Sequence, residues 1–586
     1  MSDRSARALS CALAACALGA VSAAPALGYG PLKRPEPAPA AGAIVAGAHD
    51  ARAAGGNALL ITFADAPPSA AAERRLAGLG RVSPVVPEAG VWRLVPSTRE
   101  PAARSIASAR PGVVAAEWAL SRTSDEVTPP TKPTSAAPIE DPVFALGTQW
   151  GLSEPDAPSW TADLTTVGPR PRIAVLDSGV DRSHEEWRGP ASPLVAPRNT
   201  IHRNADATDW GISGHGTHVA GIAAAPVNGI GIVGVAPAGR GAGEVIPVRI
   251  ADPDGRSTDA TMIAGIRWAV LRGARVINIS AGGPGYSRAF QETILWATAR
   301  GALIVASVGN DGDTPAARVV NYPAGYKRVL GVAAQCDGLG TRDCPRPFGV
   351  AGFSNRNTSV DLIAPGVRIA SSVPVRVTDG ALAPGYAYKD GTSMAAPYVT
   401  GVAALVQAAN GNRLSPYQVL RHLQNTAKRI EKGGRTNRTG YGVVDPARAV
   451  SRTAPPDDAD EVNDDIKWAK APRRIAPGEP LRIEASADRL EDDEDVYAVR
   501  ARAGDLVTLT LAPRTGTIDL YLWGPGARTV RTDAANVRRN LVGFQGGGAR
   551  VKRMTRVAQR SGVHHVNVYA RRGRGDYTLT ITLRRP

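Results

Sequence analysis

The sequence predicts an α/β protein: a three-layer domain built on a parallel sheet, preceded by a small ferredoxin-like α+β unit and followed by a β-sandwich. Three observations carry that expectation. Residues 141–452 alternate short apolar runs with amphipathic stretches at the spacing of βαβ units. Residues 57–122 follow the order βαββαβ. Residues 453–586 contain runs that alternate apolar and polar side chains with period two, as half-buried antiparallel strands do. The length of 586 residues suits about three domains at roughly 100–200 residues each. With 43% hydrophobic and 21% charged residues the chain is not a solvated disordered one. No apolar run of about 20 residues follows the N-terminal stretch, which excludes a polytopic helical membrane protein.

Residues 1–24 have the pattern of an export signal: Arg4 and Arg7, an apolar core from Ala8 to Ala20, and the small-residue site Val21-Ser22-Ala23. An alternative is a lipobox at Leu13-Ala14-Ala15-Cys16, with the chain lipid-anchored through Cys16. The following stretch stays apolar to Leu27, which favours plain secretion. Removal of the signal leaves two cysteines, Cys336 and Cys344, separated by a short segment containing Gly338 and Gly340. In an exported chain such a pair suits a small loop disulfide, and no histidine lies nearby to make a metal site instead.

Residues 25–56, rich in Pro, Ala and Gly, form a linker. In the unit that follows, strands are expected at 58–64, 81–87, 90–94 and 113–119, with helices at 69–79 and 99–109. Residues 123–140, with Pro129, Pro130, Pro133 and Pro138, form an extended connector. Within 141–452, the runs 173–176, 245–248, 276–279 and 303–306 are expected as buried parallel strands, and 259–271 and 288–299 as helices covering them. Within 453–586, the alternating runs 507–511 and 577–583 predict a sandwich.

The formal charge of +16 is unevenly placed. Residues 457–495 hold 14 acidic and 6 basic side chains, whereas 496–586 hold 4 and 17. The basic cluster Arg550, Lys552, Arg553, Arg556, Arg560, Arg571, Arg572 and Arg574 lacks the aromatic platform or motif of a nucleic-acid binder. No nucleic-acid partner is expected; a solvated face, or weak association with an anionic cell wall or surface through the C-terminal domain, accounts for it.

Three segments carry the chemistry. Asp177 follows the run 173–176 and so sits at the carboxyl end of a buried strand, where open α/β sheets place their sites. His215 lies in Gly214-His215-Gly216-Thr217-His218, a Gly-rich lead-in to a helix of small residues. Ser393 lies in Gly391-Thr392-Ser393-Met394-Ala395-Ala396-Pro397, another loop opening a helix, where backbone N–H groups and the positive dipole end lie beside the hydroxyl. Together they offer a nucleophile, a base and an orienting carboxylate. The serine is not in a Gly-x-Ser-x-Gly elbow, since Ala395 replaces the second glycine. Nor do His215 and His218 form the His-Glu-x-x-His pattern of a zinc helix.

These motifs, in the order Asp, His, Ser, resemble those of the subtilisin-like serine peptidases over residues 141–452. The resemblance implies a serine endopeptidase without a catalytic cofactor, acting on protein and peptide substrates through an acyl-enzyme, with Asp177, His215 and Ser393 as the triad. Ala306-Ser307-Val308-Gly309-Asn310 is similar to the family's oxyanion loop, with Asn310 as side-chain donor. Ser280, Ala281, Gly282 and Gly309 correspond to substrate-binding positions, and main-chain pairing there implies broad specificity. The segment Val227–Gly234 resembles a structural calcium loop, with Asn228 and the carbonyls of Pro226, Ile230 and Ile232 joined by Asp141 and Glu186, the last where the family usually has Asp. Residues 57–122 resemble the inhibitory pro-domain of this family, which implies a zymogen that processes itself and binds its own pro-domain. Residues 457–584 resemble the bacterial pre-peptidase C-terminal β-domain through Asp460-Glu461-Val462, Asp495-Val496-Tyr497 and Gly575-Asp576-Tyr577, with Val462 where Pro is usual. A monomer is expected.

Overall fold

The computed structural model describes residues 58–97, 102–124, 148–153, 169–239, 242–312, 314–341, 343–532, 534–547 and 551–585. The expected export signal with Cys16, the first linker, residues 125–140 of the connector and Asp141 lie outside the described residues.

The N-terminal unit is a four-stranded antiparallel sheet in the order Gly80–Val86, Val91–Pro96, Leu59–Phe63, Val113–Trp118, with helices Ser69–Arg75 and Ala102–Ser108. This is the expected βαββαβ order. Its core of Leu59, Ile61, Phe63, Trp92 and Leu94 lies on one face of the sheet. Leu60, Val91 and Ala119 face the other way and join the core beneath the helices of the middle domain. Residues 123 and 124 correct the expected connector: Ser121–Ser124 is a strand, held in a separate sheet by pairing with distant segments rather than by any local preference.

The middle domain has a seven-stranded parallel sheet in the order Leu362–Pro365, Val329–Gln335, Leu303–Ser307, Ala274–Ile279, Arg172–Asp177, Val245–Arg249, Arg198–Asn199. Both faces are covered, so alternate residues of one strand enter different cores. Ile173 and Val175 pack with Val219 and Val402 of the helices His215–Ala224 and Thr392–Ala409. Ala174 and Leu176 pack with Ile266 and Ile294 of the helices Asp259–Leu271 and Arg288–Thr298. The disulfide between Cys336 and Cys344 closes a loop after the strand Val329–Gln335.

The C-terminal domain is a sandwich of two four-stranded antiparallel sheets. The first is ordered Pro480–Asp488, Arg574–Arg584, Leu506–Pro513, Lys552–Val557; the second is Glu494–Ala501, Gly562–Arg572, Thr517–Trp523, Leu541–Gln545. Alternate residues Leu509, Leu511, Leu579 and Ile581 meet Leu520, Leu522, Val566 and Val568 in the core between them. Two acidic segments, one before the strand Pro480–Asp488 and one between it and Glu494–Ala501, turn towards the middle domain. There Glu461, Asp464 and Asp492 share the guanidinium of Arg328, which is only 2% exposed. Burial of so many carboxylates on one cation ties the two domains, because removing Arg328 would leave them uncompensated.

Candidate active site

Asp177 is the last residue of the strand Arg172–Asp177, and His215 the first of the helix His215–Ala224. Gly214 precedes it at φ 68°, and a Cβ there would come within 2.4 Å of Pro374 Cδ, so only glycine makes this turn. Ser393 is in the first turn of Thr392–Ala409, a helix that packs along His215–Ala224. All three side chains are buried. His215 Nδ1 lies 2.7 Å from Asp177 Oδ1, which also accepts the Ser178 N–H at 2.7 Å. With the carboxylate accepting, Nδ1 carries the proton and Nε2 is the basic nitrogen.

Ser393 Oγ donates to the Ser280 carbonyl oxygen at 3.1 Å, and Ser280 Oγ donates to the Ser393 carbonyl oxygen at 2.8 Å. Ser280 is held in turn by Asn278 Nδ2 at 2.9 Å. Ser280, fully buried, therefore anchors the helix start. Asn310 Oδ1 accepts the Thr392 N–H at 3.0 Å, which fixes the amide plane. Its Nδ2 is buried and has no acceptor among the described residues. A buried amide N–H with nothing to donate to costs about 1–3 kcal/mol, so a ligand oxygen satisfies it at a profit. Gly309, at φ 100°, donates its N–H to Thr392 Oγ1 at 3.2 Å; a Cβ there would stand 2.1 Å from Asn321 Nδ2.

Sequence reasoning missed Asp209. This fully buried carboxylate accepts from Ser178 Oγ, the Gly211 N–H, the Thr217 N–H and the Thr217 hydroxyl. Ser178 Oγ in turn accepts the Gly216 N–H at 2.9 Å. Asp209 thus locks the residue after Asp177 to the residues after His215. Nothing in its local sequence, Thr208-Asp209-Trp210, signals that. Burial pushes its carboxyl above the usual range, against the pull of the Thr217 and Ser178 hydrogen bonds. His218 is structural: its Nε2 reaches the Ile369 and Ala387 carbonyls, and burial holds the ring well below its ordinary pKa, hence neutral.

Ala281 and Gly282 begin the strand Ala281–Pro284, which pairs antiparallel with Ser121–Ser124: Ala281 faces Ser124 and Gly282 faces Thr123. On its other side Ser121–Ser124 pairs with Arg256–Thr258. Ser124 borders a cavity of about 170 Å³ lined also by Asp177, His215, Ser213 and Ala281. The segment after the N-terminal unit therefore lies in the groove beside the Asp-His pair.

Of the expected calcium residues, Asn228 and Ile232 meet Glu186, and Ile230 donates its N–H to Asn228 Oδ1 at 2.9 Å. Glu186 Oε1 accepts the Ile232 N–H at 2.7 Å, and its Oε2 accepts Asn228 Nδ2 at 3.2 Å. Tyr386 OH donates to Glu185 at 2.7 Å and approaches Glu186 Oε1 at 3.3 Å. Among the described residues no Lys or Arg pairs with Glu186, and burial pushes its carboxyl up to about 8. A buried carboxyl without a counter-charge, beside an amide oxygen, is of the oxygen-donor type that calcium takes.

A strand-end aspartate bonded to a helix-start histidine, with a helix-start serine and a poised amide on a doubly covered parallel sheet, defines a serine hydrolase of the subtilisin fold. Residues 168–442 match the model of the subtilase family, Peptidase_S8. Subtilisin BL of Lederbergia lenta is 36% identical over 310 residues, 53% of this chain and 100% of that protein. Fervidolysin of Fervidobacterium pennivorans is 39% identical over 293 residues, 46% of this chain and 39% of that one. The crystal structure of fervidolysin, described as a keratinolytic enzyme related to subtilisin, covers 85% of this chain and 84% of its own at TM-score 0.55 and 22% identity, a likeness of fold. The chain belongs to the subtilase family and is a serine-type endopeptidase.

Proposed function

We propose that this chain is an exported endopeptidase made as a self-processing precursor, with Asp177, His215 and Ser393 as its triad. The observation that carries the reading is the 2.7 Å bond from His215 Nδ1 to Asp177 beside a buried Asn310 amide that lacks an acceptor. Ser393 Oγ attacks the scissile carbonyl carbon as its proton passes to His215 Nε2, and Asp177 stabilises the imidazolium. The carbonyl oxygen, now negative, accepts from Asn310 Nδ2 and the Ser393 N–H. Collapse breaks the C–N bond, His215 protonates the leaving amine, and an acyl-enzyme remains. Water, deprotonated by His215, then releases the acid and restores Ser393. The substrate main chain pairs with Ala281 and Gly282 in the place now taken by Ser124 and Thr123.

That occupancy supports assigning residues 57–122 as an inhibitory pro-domain and 123–140 as the segment cut during maturation. Residues 1–24 act as the export signal and 453–586 as a β-domain that associates weakly with anionic surfaces. Calcium, when bound, would supply positive charge to Glu186, and Asn228, the carbonyls of Pro226, Ile230 and Ile232, and Asp141 are the groups that the family resemblance names to hold it.

The test is the Ser393→Ala precursor beside wild type. Wild type should lose residues 1–24 and then about 100 more, react with a fluorophosphonate at Ser393, and hydrolyse peptides. The variant should stop after the first step and retain under a per cent of the activity. Trimming of the variant within 123–140 in a peptidase-free host would refute self-processing.

A further inference from the structure

Arg122 is 1% exposed, although it lies on a strand that only visits the middle domain. Its side chain enters a pocket built wholly from that domain. Nε donates to Asp259 Oδ1 at 2.8 Å, Nη1 to the Gly283 carbonyl and to the Pro284 carbonyl at 3.0 Å, and Nη2 to the Gly285 carbonyl at 3.0 Å. Asp259 is itself fully buried, in the first turn of the helix Asp259–Leu271. Its Oδ2 has no partner among the described residues. Tyr322 pairs with Gly283 across the neighbouring strand, and its ring packs on Tyr326 at 4.6 Å between centroids.

Once residues 58–124 leave, the pocket keeps one carboxylate and three carbonyl oxygens, all of them acceptors, converging on one spot. A guanidinium has five donors in a planar fork and matches that set; an ammonium has three on a point, and an apolar side chain leaves the buried carboxylate uncompensated. The register also gives the pocket its place along a substrate. Ser124 faces Ala281, so the next residue of a peptide in this groove faces Ser280, whose carbonyl accepts from Ser393 Oγ. That residue precedes the bond cut, and the position of Arg122 is three residues further upstream.

We infer that the pocket around Asp259 is a substrate subsite that selects arginine at the fourth position before the scissile bond. The inference rests on the assignment of Ser393 as nucleophile. Asp259 acts on the choice of substrate rather than on the chemical step. The Arg122 side chain occupies the subsite in the precursor, so the same contacts hold the pro-segment in the groove and read substrates afterwards.

The mature enzyme is tested on peptides identical except for Arg, citrulline, Lys, Leu or Ala at the fourth position. The expected result is a kcat/KM for Arg about 10- to 100-fold above citrulline and Ala, because a site built to hydrogen-bond a group rejects analogues that lack it. Citrulline keeps the shape of arginine and loses only its charge and one donor pattern, so it isolates the role of Asp259. In Asp259→Asn the Arg-to-citrulline ratio should fall to about one, with fluorophosphonate labelling of Ser393 reporting a folded site. Should Asp259→Asn fail to fold, the wild-type ratios decide alone. An enzyme that takes the label and cleaves all five peptides equally overturns the subsite and leaves the peptidase assignment standing. A chain that neither labels nor cleaves overturns that assignment, and the subsite with it. An Asp259→Asn enzyme that keeps the Arg-to-citrulline ratio overturns the role of Asp259.

Discussion

Replacing Asp209 by Asn tests whether a residue that touches no substrate sets the geometry of the triad. The carboxylate receives four donors: Ser178 Oγ at 2.9 Å and the Gly211 N–H at 3.0 Å on Oδ1, the Thr217 N–H at 2.9 Å and the Thr217 hydroxyl at 2.6 Å on Oδ2. An amide has one acceptor atom and one donor atom, so in either orientation its NH₂ faces a backbone N–H, that of Thr217 or of Gly211. One buried donor is orphaned, at a cost of about 1–3 kcal/mol. Relief from burying the charge works the other way, since burial raises this carboxyl, but it does not replace the lost acceptor. We expect a net loss of about 2 kcal/mol for Asn, or roughly 3 °C in Tm for a domain of about 310 residues. Asp209→Ala, which strands all four donors, should lose about 3–5 kcal/mol. Scanning calorimetry in the Ser393→Ala background avoids self-digestion. In the active enzyme, Asp209→Asn should lower kcat by on the order of tenfold with little change in KM, because Ser178 no longer holds Asp177 and Gly216 in register. An Asn variant with wild-type Tm and kcat would show that Asp209 does not hold Asp177 and His215 in place.

Three further outcomes are expected. Asn310→Ala should cut kcat by about 10²–10³, the range established for the corresponding change in the related subtilisin, with KM nearly constant in steady-state assays. Glu186 has its folded pKa near 8, above the ordinary 4.5, so the folded state holds more protons than the unfolded one between those values. Metal-free protein should therefore lose stability as pH rises through that window, and calcium at 100 times its dissociation constant should return about 2.7 kcal/mol at pH 8; equal Tm values with calcium and with chelator at pH 8 would remove the site. Thiol titration of the denatured, unreduced mature protein should find no free cysteine, since Cys336 and Cys344 are bridged; two reactive thiols would contradict this.

The strand end at Asp177 and the helix starts at His215 and Ser393 were legible because each rests on chemistry confined to a few neighbouring residues. An aspartate after four apolar β-formers, and a histidine or serine between glycines and small helix formers, specify a strand end and two helix starts whatever lies beyond them. The alternation in 507–511 and 577–583 was legible for the same reason, since a half-buried strand shows its period locally. Asp209 carried no such signal, because its partners Ser178 and Thr217 lie far enough away that only the fold reveals them. The acidic run 457–495 read as a charge imbalance; its meaning as a socket for Arg328 depends on a residue more than 130 positions earlier.

The layers and the bridge between Cys336 and Cys344 could be read from local pattern alone, and the same local pattern picks out Asp177, His215 and Ser393 as the proposed carboxylate, base and nucleophile. It took the folded chain to show that Ser121–Ser124 is a strand, that it borders the cavity beside Asp177 and His215, and that Arg122 ends on Asp259, 137 residues away. The two kinds of feature differ in range. Helix starts, strand periods and tight turns are stabilised by groups within a turn or two of one another, so their sequences announce them. Pairing between an edge segment and a groove, or between one buried guanidinium and one buried carboxylate, depends on partners and low-dielectric surroundings that exist only once the whole chain has folded around both, and only there does the attraction offset the cost of leaving water.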